Sequence, residues 1–185
     1  MKRNLTMKDL SRIALAAALT AVCSWITIPG PVPFTLQTFA VFFSLAFLGG
    51  KRGTIAVALY LLLGAVGAPV FSGGMGGVEK LLGATGGYLF GFLFSALIYW
   101  LWTARLGNRK VWVMAVGMAL GLAVCYAVGT AWFLRVYVGG DGNPVSLSAA
   151  LGMCVLPFLP VDAVKIALAI LVTKALRKAL KEPAK

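Results

Sequence analysis

The 17 lysines and arginines of this chain fall in short clusters that separate long apolar runs. There are six such runs, at 13–28, 34–48, 53–71, 86–102, 111–134 and 155–172. A helix that crosses a bilayer needs about 20 mainly apolar residues, with a range of about 17–25. The first two runs are short and must borrow flanking residues. None alternates polar with apolar residues, as the strands of a membrane barrel would. Hydrophobic residues make up 61% of the 185 residues and charged residues 12%. A water-soluble fold of this size could not hide so much apolar surface. The pattern predicts an all-α integral membrane protein.

The clusters also predict an orientation. Lys2, Arg3, Lys8 and Arg12 precede the first run, and Lys51 and Arg52 separate the second from the third. Arg105, Arg109 and Lys110 separate the fourth from the fifth, and Lys174, Arg177, Lys178, Lys181 and Lys185 follow the sixth. Fourteen of the 17 basic residues therefore fall on alternate connections, leaving Lys80 and Arg135 on the other side and Lys165 within the last run. Basic residues collect on the cytoplasmic face. The expectation is six spans in a single domain, 1–185, in a cell membrane, with basic cytoplasmic tails at 1–12 and 174–185. The start of the chain superficially resembles a signal peptide, but the later runs favour a retained first span. The net charge of +12 is not a nucleic-acid footprint, because the charges form no patch interleaved with aromatics.

Enzyme chemistry has little to work with. There is no histidine. Cys23, Cys125 and Cys154 lie far apart in apolar stretches, which suits packing rather than a metal. Glu79 and Asp141 are loop residues without an evident partner, and no phosphate-binding GxxxxGK[ST] motif occurs. No metal or cofactor is expected.

The connections on the outer side are of another kind. The first is Pro29-Gly30-Pro31-Val32-Pro33; the second, 67–87, is long and glycine-rich; the third, about 135–150, contains YVGGDGNP. Long irregular loops often carry function. Close to them, Asp162 and Lys165 lie three residues apart inside the last run, on one helix face. An ionisable group there costs about 2.5–3.5 kcal/mol on insertion scales and marks function by default. A carboxylate beside an ammonium suits a ligand with paired N–H donors and a carbonyl acceptor. The alternative is a self-neutralising pair that pins helices together.

Other positions allow two readings each. The glycines of GGMGGVEKLLGATGGY either cradle an anion or permit close packing. Tyr88 presents its hydroxyl to a ligand or marks the membrane interface. Gln37, with Thr35 and Thr38 nearby, enters a pocket or makes an interhelical hydrogen bond. Ala14/Ala18 and Ala17/Ala21 form two AxxxA pairs, which admit a neighbouring helix of this chain or of a partner.

Five segments taken together resemble the BioY family of biotin transporters: GPVPFTLQTFAVF from Gly30, LLLGAVGAPVFSGGMGG from Leu61, LLGATGGYLFGF from Leu81, CYAVGTAW from Cys125 and LPFLPVDAVK from Leu156. They occur in that order across most of the chain. Members of that family are substrate-binding S components of energy-coupling factor (ECF) transporters. The resemblance implies six helices that bind biotin from outside. Asp162 and Lys165 would hold its ureido head, the loop with Gly73, Gly74, Gly86, Gly87 and Tyr88 would cover it, and Phe34, Thr35 and Gln37 would lie near the pocket. It also implies that Ala14, Ala17, Ala18 and Ala21 meet a transmembrane coupling protein carrying two ATPase subunits. Here GATGGY stands where the family usually has GPTGGY, and Val161 replaces a usual small residue. An S component for another small vitamin, or a structural membrane protein, is the alternative.

Overall fold

The computed structural model describes residues 5–108, 110–139 and 144–180. The chain is mostly helical: α1 (Met7–Trp25), α2 (Gln37–Leu48), α3 (Gly50–Ala65), α4 (Val78–Leu82), α5 (Gly86–Leu106), α6 (Val111–Val136), α7 (Leu147–Cys154) and α8 (Phe158–Ala179). Strands β1 (Thr27–Ile28) and β2 (Phe34–Thr35) form a short antiparallel ribbon. Among the described residues, three stretches are long and apolar enough to cross a membrane: α5, α6 and Leu147–Ala179, which runs through α7 and α8. The ribbon departs from the expected all-α structure. Pro29, Pro31 and Pro33 lack N–H donors and hold their neighbours extended, so the helices stop at Trp25 and resume at Gln37 instead of running to 28 and from 34.

The other boundaries shift for local reasons. Met7–Arg12, expected as tail, is already helical because Thr6 and Asp9 cap each other: Asp9 N–H donates to Thr6 Oγ1 and Thr6 N–H to Asp9 Oδ2, both at 3.2 Å. Lys51 and Arg52, expected in a loop, occupy the first turn of α3. Gly49, at φ 83, reverses the chain in one residue. The third helix ends at Ala65 rather than 71, ahead of Pro69. The helices expected to end at 102 and 134 reach Leu106 and Val136, since charge at a helix end does not stop it. Likewise 155–157 is a turn, and α8 continues to Ala179, so Lys174, Arg177 and Lys178 are helical rather than tail. The expected loop positions Lys2, Arg3, Arg109, Asp141, Lys181 and Lys185 lie outside the described residues.

Packing depends on close approach. Helices α5 and α6 form the most extensive pair, and their glycines make it possible. A Cβ on Gly91 would lie 2.9 Å from Cys125 Sγ, and one on Gly121 2.4 Å from Ser95 Oγ. In a membrane such contact supplies dispersion where the hydrophobic effect does not. Helix α2 packs on α8, α3 on α5, and α1 on both α2 and α3.

The two ends of the bundle differ. At one end Arg177 donates to the carbonyls of Asn108 (2.9 Å) and Ala46 (2.5 Å), and Asn108 Nδ2 donates to Ala46 O at 2.7 Å. Arg52 Nη2 meets Asp9 Oδ2 at 3.0 Å. These bonds gather the basic start of α3, the α5–α6 connection and the end of α8. At the other end the segment after α3 folds back over the bundle. Fully buried Phe71 sits against Gly64 and edge-on to Tyr60, with ring centroids 5.5 Å apart. Ser24 Oγ and Trp25 Nε1 donate to the carbonyls of Val70 and Pro69 at 2.6 and 2.8 Å.

Candidate functional site

Under that folded-back segment lies a cavity of about 620 Å³, counting the part open to solvent. Ligand sites are lined mainly by apolar groups with a few fixed polar ones. Here the apolar wall includes Leu89, Phe92, Leu122 and Phe158.

The polar groups converge from several elements. Asp162 and Lys165 are 2% and 4% exposed and both line the cavity. Pro160 is tolerated in the first turn of α8, so Asp162 falls one turn inside the helix, and spacing three puts Lys165 on its face. Lys165 Nζ donates to Asp162 Oδ1 at 2.8 Å, and the Tyr126 hydroxyl donates to Oδ2 at 2.6 Å. Each carboxylate oxygen is thus anchored once, and each keeps a second lone pair. The arrangement is both an internal ion pair and a cavity wall. It can still accept N–H donors at the acid and supply a donor at the base.

Other expected residues divide. Thr35, Gln37 and Tyr88 line the cavity. Gln37 Nε2 donates to the Tyr60 hydroxyl at 2.9 Å. The Tyr88 hydroxyl pairs with Thr130 Oγ1 at 3.0 Å, so Tyr88 is a buried hydrogen-bonding group rather than an interface marker. Phe34 is outside the lining but stacks on Phe158, with centroids 3.9 Å apart. Gly73, Gly74, Gly86 and Gly87 are also outside it. The first two take φ 76 and 71 in the turn Ser72–Gly74. The others are tight contacts: a Cβ would lie 1.7 Å from Leu81 O at Gly86 and 2.2 Å from Trp132 Cβ at Gly87. Trp132 Nε1 also donates to Gly83 O at 3.0 Å, holding the GATGGY turn against α6.

The AxxxA pairs separate as well. Ala17 and Ala21 are buried in the chain's own core, so they are not available to a partner, whereas Ala14 and Ala18 are exposed. Helix periodicity makes this division, because the two pairs lie on different faces.

Sequence reasoning missed Tyr126, which lies in the CYAVGTAW segment. A phenol inside an apolar span needs a hydrogen-bond partner, and that need was the available signal. Cys125 and Cys154, read as packing residues, are buried free thiols that also line the cavity.

The model of a family described as "BioY family" matches residues 1–182. The biotin transporter BioY of Thermotoga maritima is 43% identical, over 93% of this chain and 97% of its own. The probable biotin transporter BioY of Pyrococcus horikoshii is 38% identical, over 92% and 96%. Among solved structures, the S component for biotin from an ECF-type ABC transporter superposes with a TM-score of 0.82 at 28% identity, covering 96% of this chain and 95% of that one. A transition metal transporter, at TM-score 0.69 and 18% identity over 97% and 80%, shares the fold alone.

Proposed function

The chain belongs to the BioY family, and from that premise we propose that it is the biotin-binding S component of an ECF-type vitamin uptake transporter, taking biotin from the extracellular side. The observation that carries this reading is the buried Asp162–Lys165 pair in the wall of a partly open, mainly apolar cavity. A buried ion pair adds little to stability, because desolvation offsets the attraction. Its retention is explained by a ligand that uses both charges. The ureido N–H groups of biotin donate to Asp162 and its carbonyl accepts from Lys165. Tyr88 and Gln37 supply further polar contacts, and the glycine-rich segment covers the ligand.

The ligand assignment is tested by thermal unfolding of the purified chain in neutral detergent with biotin, riboflavin or thiamine. Ligand at about 100 times its Kd stabilises by about 2.7 kcal/mol. Biotin is expected to raise the unfolding temperature and the other two to leave it unchanged. A response to another vitamin without one to biotin would overturn the assignment.

In this reading α1, α2, α3, α5, α6 and α8 are the six spans of one domain, with both termini cytoplasmic. The gathering of basic residues at the end opposite the cavity supports it, following the positive-inside rule. At about 1.5 Å per residue, α2 and α3 cover only about 18 and 24 Å, so the bilayer must thin or the helix ends must borrow depth there. A cysteine placed at exposed Val78 should react with an impermeant maleimide on intact cells, and one at exposed Lys110 only after permeabilisation. The reverse pattern would contradict the orientation. A coupling protein and two ATPase subunits would supply the energy, with Ala14 and Ala18 on the helix face left for the coupling protein. The chain itself is a transport subunit and not an enzyme.

A further inference from the structure

The cavity has a charge that the acid–base pair does not explain. Of its charged lining residues among those described, Asp162 and Lys165 cancel, which leaves Lys80. Lys80 is half-buried in α4 and makes no hydrogen bond or ion pair among the described residues. Partial burial strips water from its ammonium and lowers its pKa from the usual value. The position is held by the neighbouring residue: Leu81 is buried, and its carbonyl is pressed by Gly86. Ser72 and Thr85 bring hydroxyls to the same cavity, neither with a side-chain hydrogen bond among the described residues. All three come from the segment that folds over the bundle, whereas the acid–base pair comes from α8. A neutral, doubly hydrogen-bonding head at α8 would therefore leave a cation and two hydroxyl donors facing the rest of the ligand. Poorly hydrated ammonium groups gain most from a counter-anion.

We propose that Lys80, with Ser72 and Thr85, forms the subsite for the ligand's carboxylate, so that the covering segment selects for an anionic tail. The inference rests on the biotin reading and deepens it.

The test is a cycle of two ligands against two proteins: biotin and its neutral-tailed analogue biotinamide, titrated in neutral detergent into the wild-type chain and Lys80→Met. Wild type is expected to bind biotin at least about tenfold more tightly than biotinamide, the scale of one charge-assisted contact. Lys80→Met should bring biotin down to the affinity of biotinamide and leave biotinamide unchanged. Lys80→Arg should retain most of the preference. If Lys80→Met binds biotin as wild type does, or loses both ligands equally, the carboxylate subsite is wrong while the biotin site stands. If neither ligand binds the wild-type chain, the biotin reading falls and takes the subsite with it.

Discussion

Replacing Asp162 by Asn is expected to lower biotin affinity at least about 100-fold and to destabilise the folded chain. Two consequences of one change add here. The ligand loses an ionised acceptor for its N–H donors, and hydrogen bonds to charged groups contribute about 1.5–3 kcal/mol each. A 100-fold loss corresponds to about 2.7 kcal/mol. Meanwhile Lys165, 4% exposed, loses its ion-pair partner. Removing one member of a buried pair typically costs about 3–5 kcal/mol. Shape is hardly altered, and the Asn amide can still accept from Tyr126. Titration calorimetry and thermal unfolding read the two effects separately. Unchanged affinity would remove Asp162 from the binding site.

The legibility of this protein was uneven for physical reasons. Membrane character and the main helices follow from apolar runs, which report a demand for backbone hydrogen bonds without water. The Asp162–Lys165 pair was visible because charge inside such a run is costly. Boundaries were less legible. A run of apolar letters does not say that three prolines convert 27–28 and 34–35 into a ribbon, or that Gly49 alone turns α2 into α3. The glycines show the same limit from the other side. In sequence, Gly86 and Gly87 suit a ligand cradle or close packing equally; in space Leu81 and Trp132 press against the start of α5 there. Tyr126 escaped notice because its partner lies 36 residues away, on another helix. Pairings of that kind are set by helix packing and are not written locally.

A simpler account would make the acid–base pair a rivet between helices, and the two accounts part when both charges are removed together. Asp162→Asn combined with Lys165→Met leaves no uncompensated charge, preserves side-chain volume and keeps an acceptor for Tyr126. Replacing a buried ion pair by neutral groups of similar size is often neutral or stabilising. The double variant should therefore fold better than Asp162→Asn alone, with its two substitutions strongly non-additive because the groups touch at 2.8 Å. Its pocket, however, would offer the ureido head neither an ionised acceptor nor an ammonium donor. The decisive measurement is biotin titration into this folded double variant beside the wild-type chain: intact folding with affinity reduced at least about 100-fold is the expected result, and wild-type affinity would show that the pair only holds helices together.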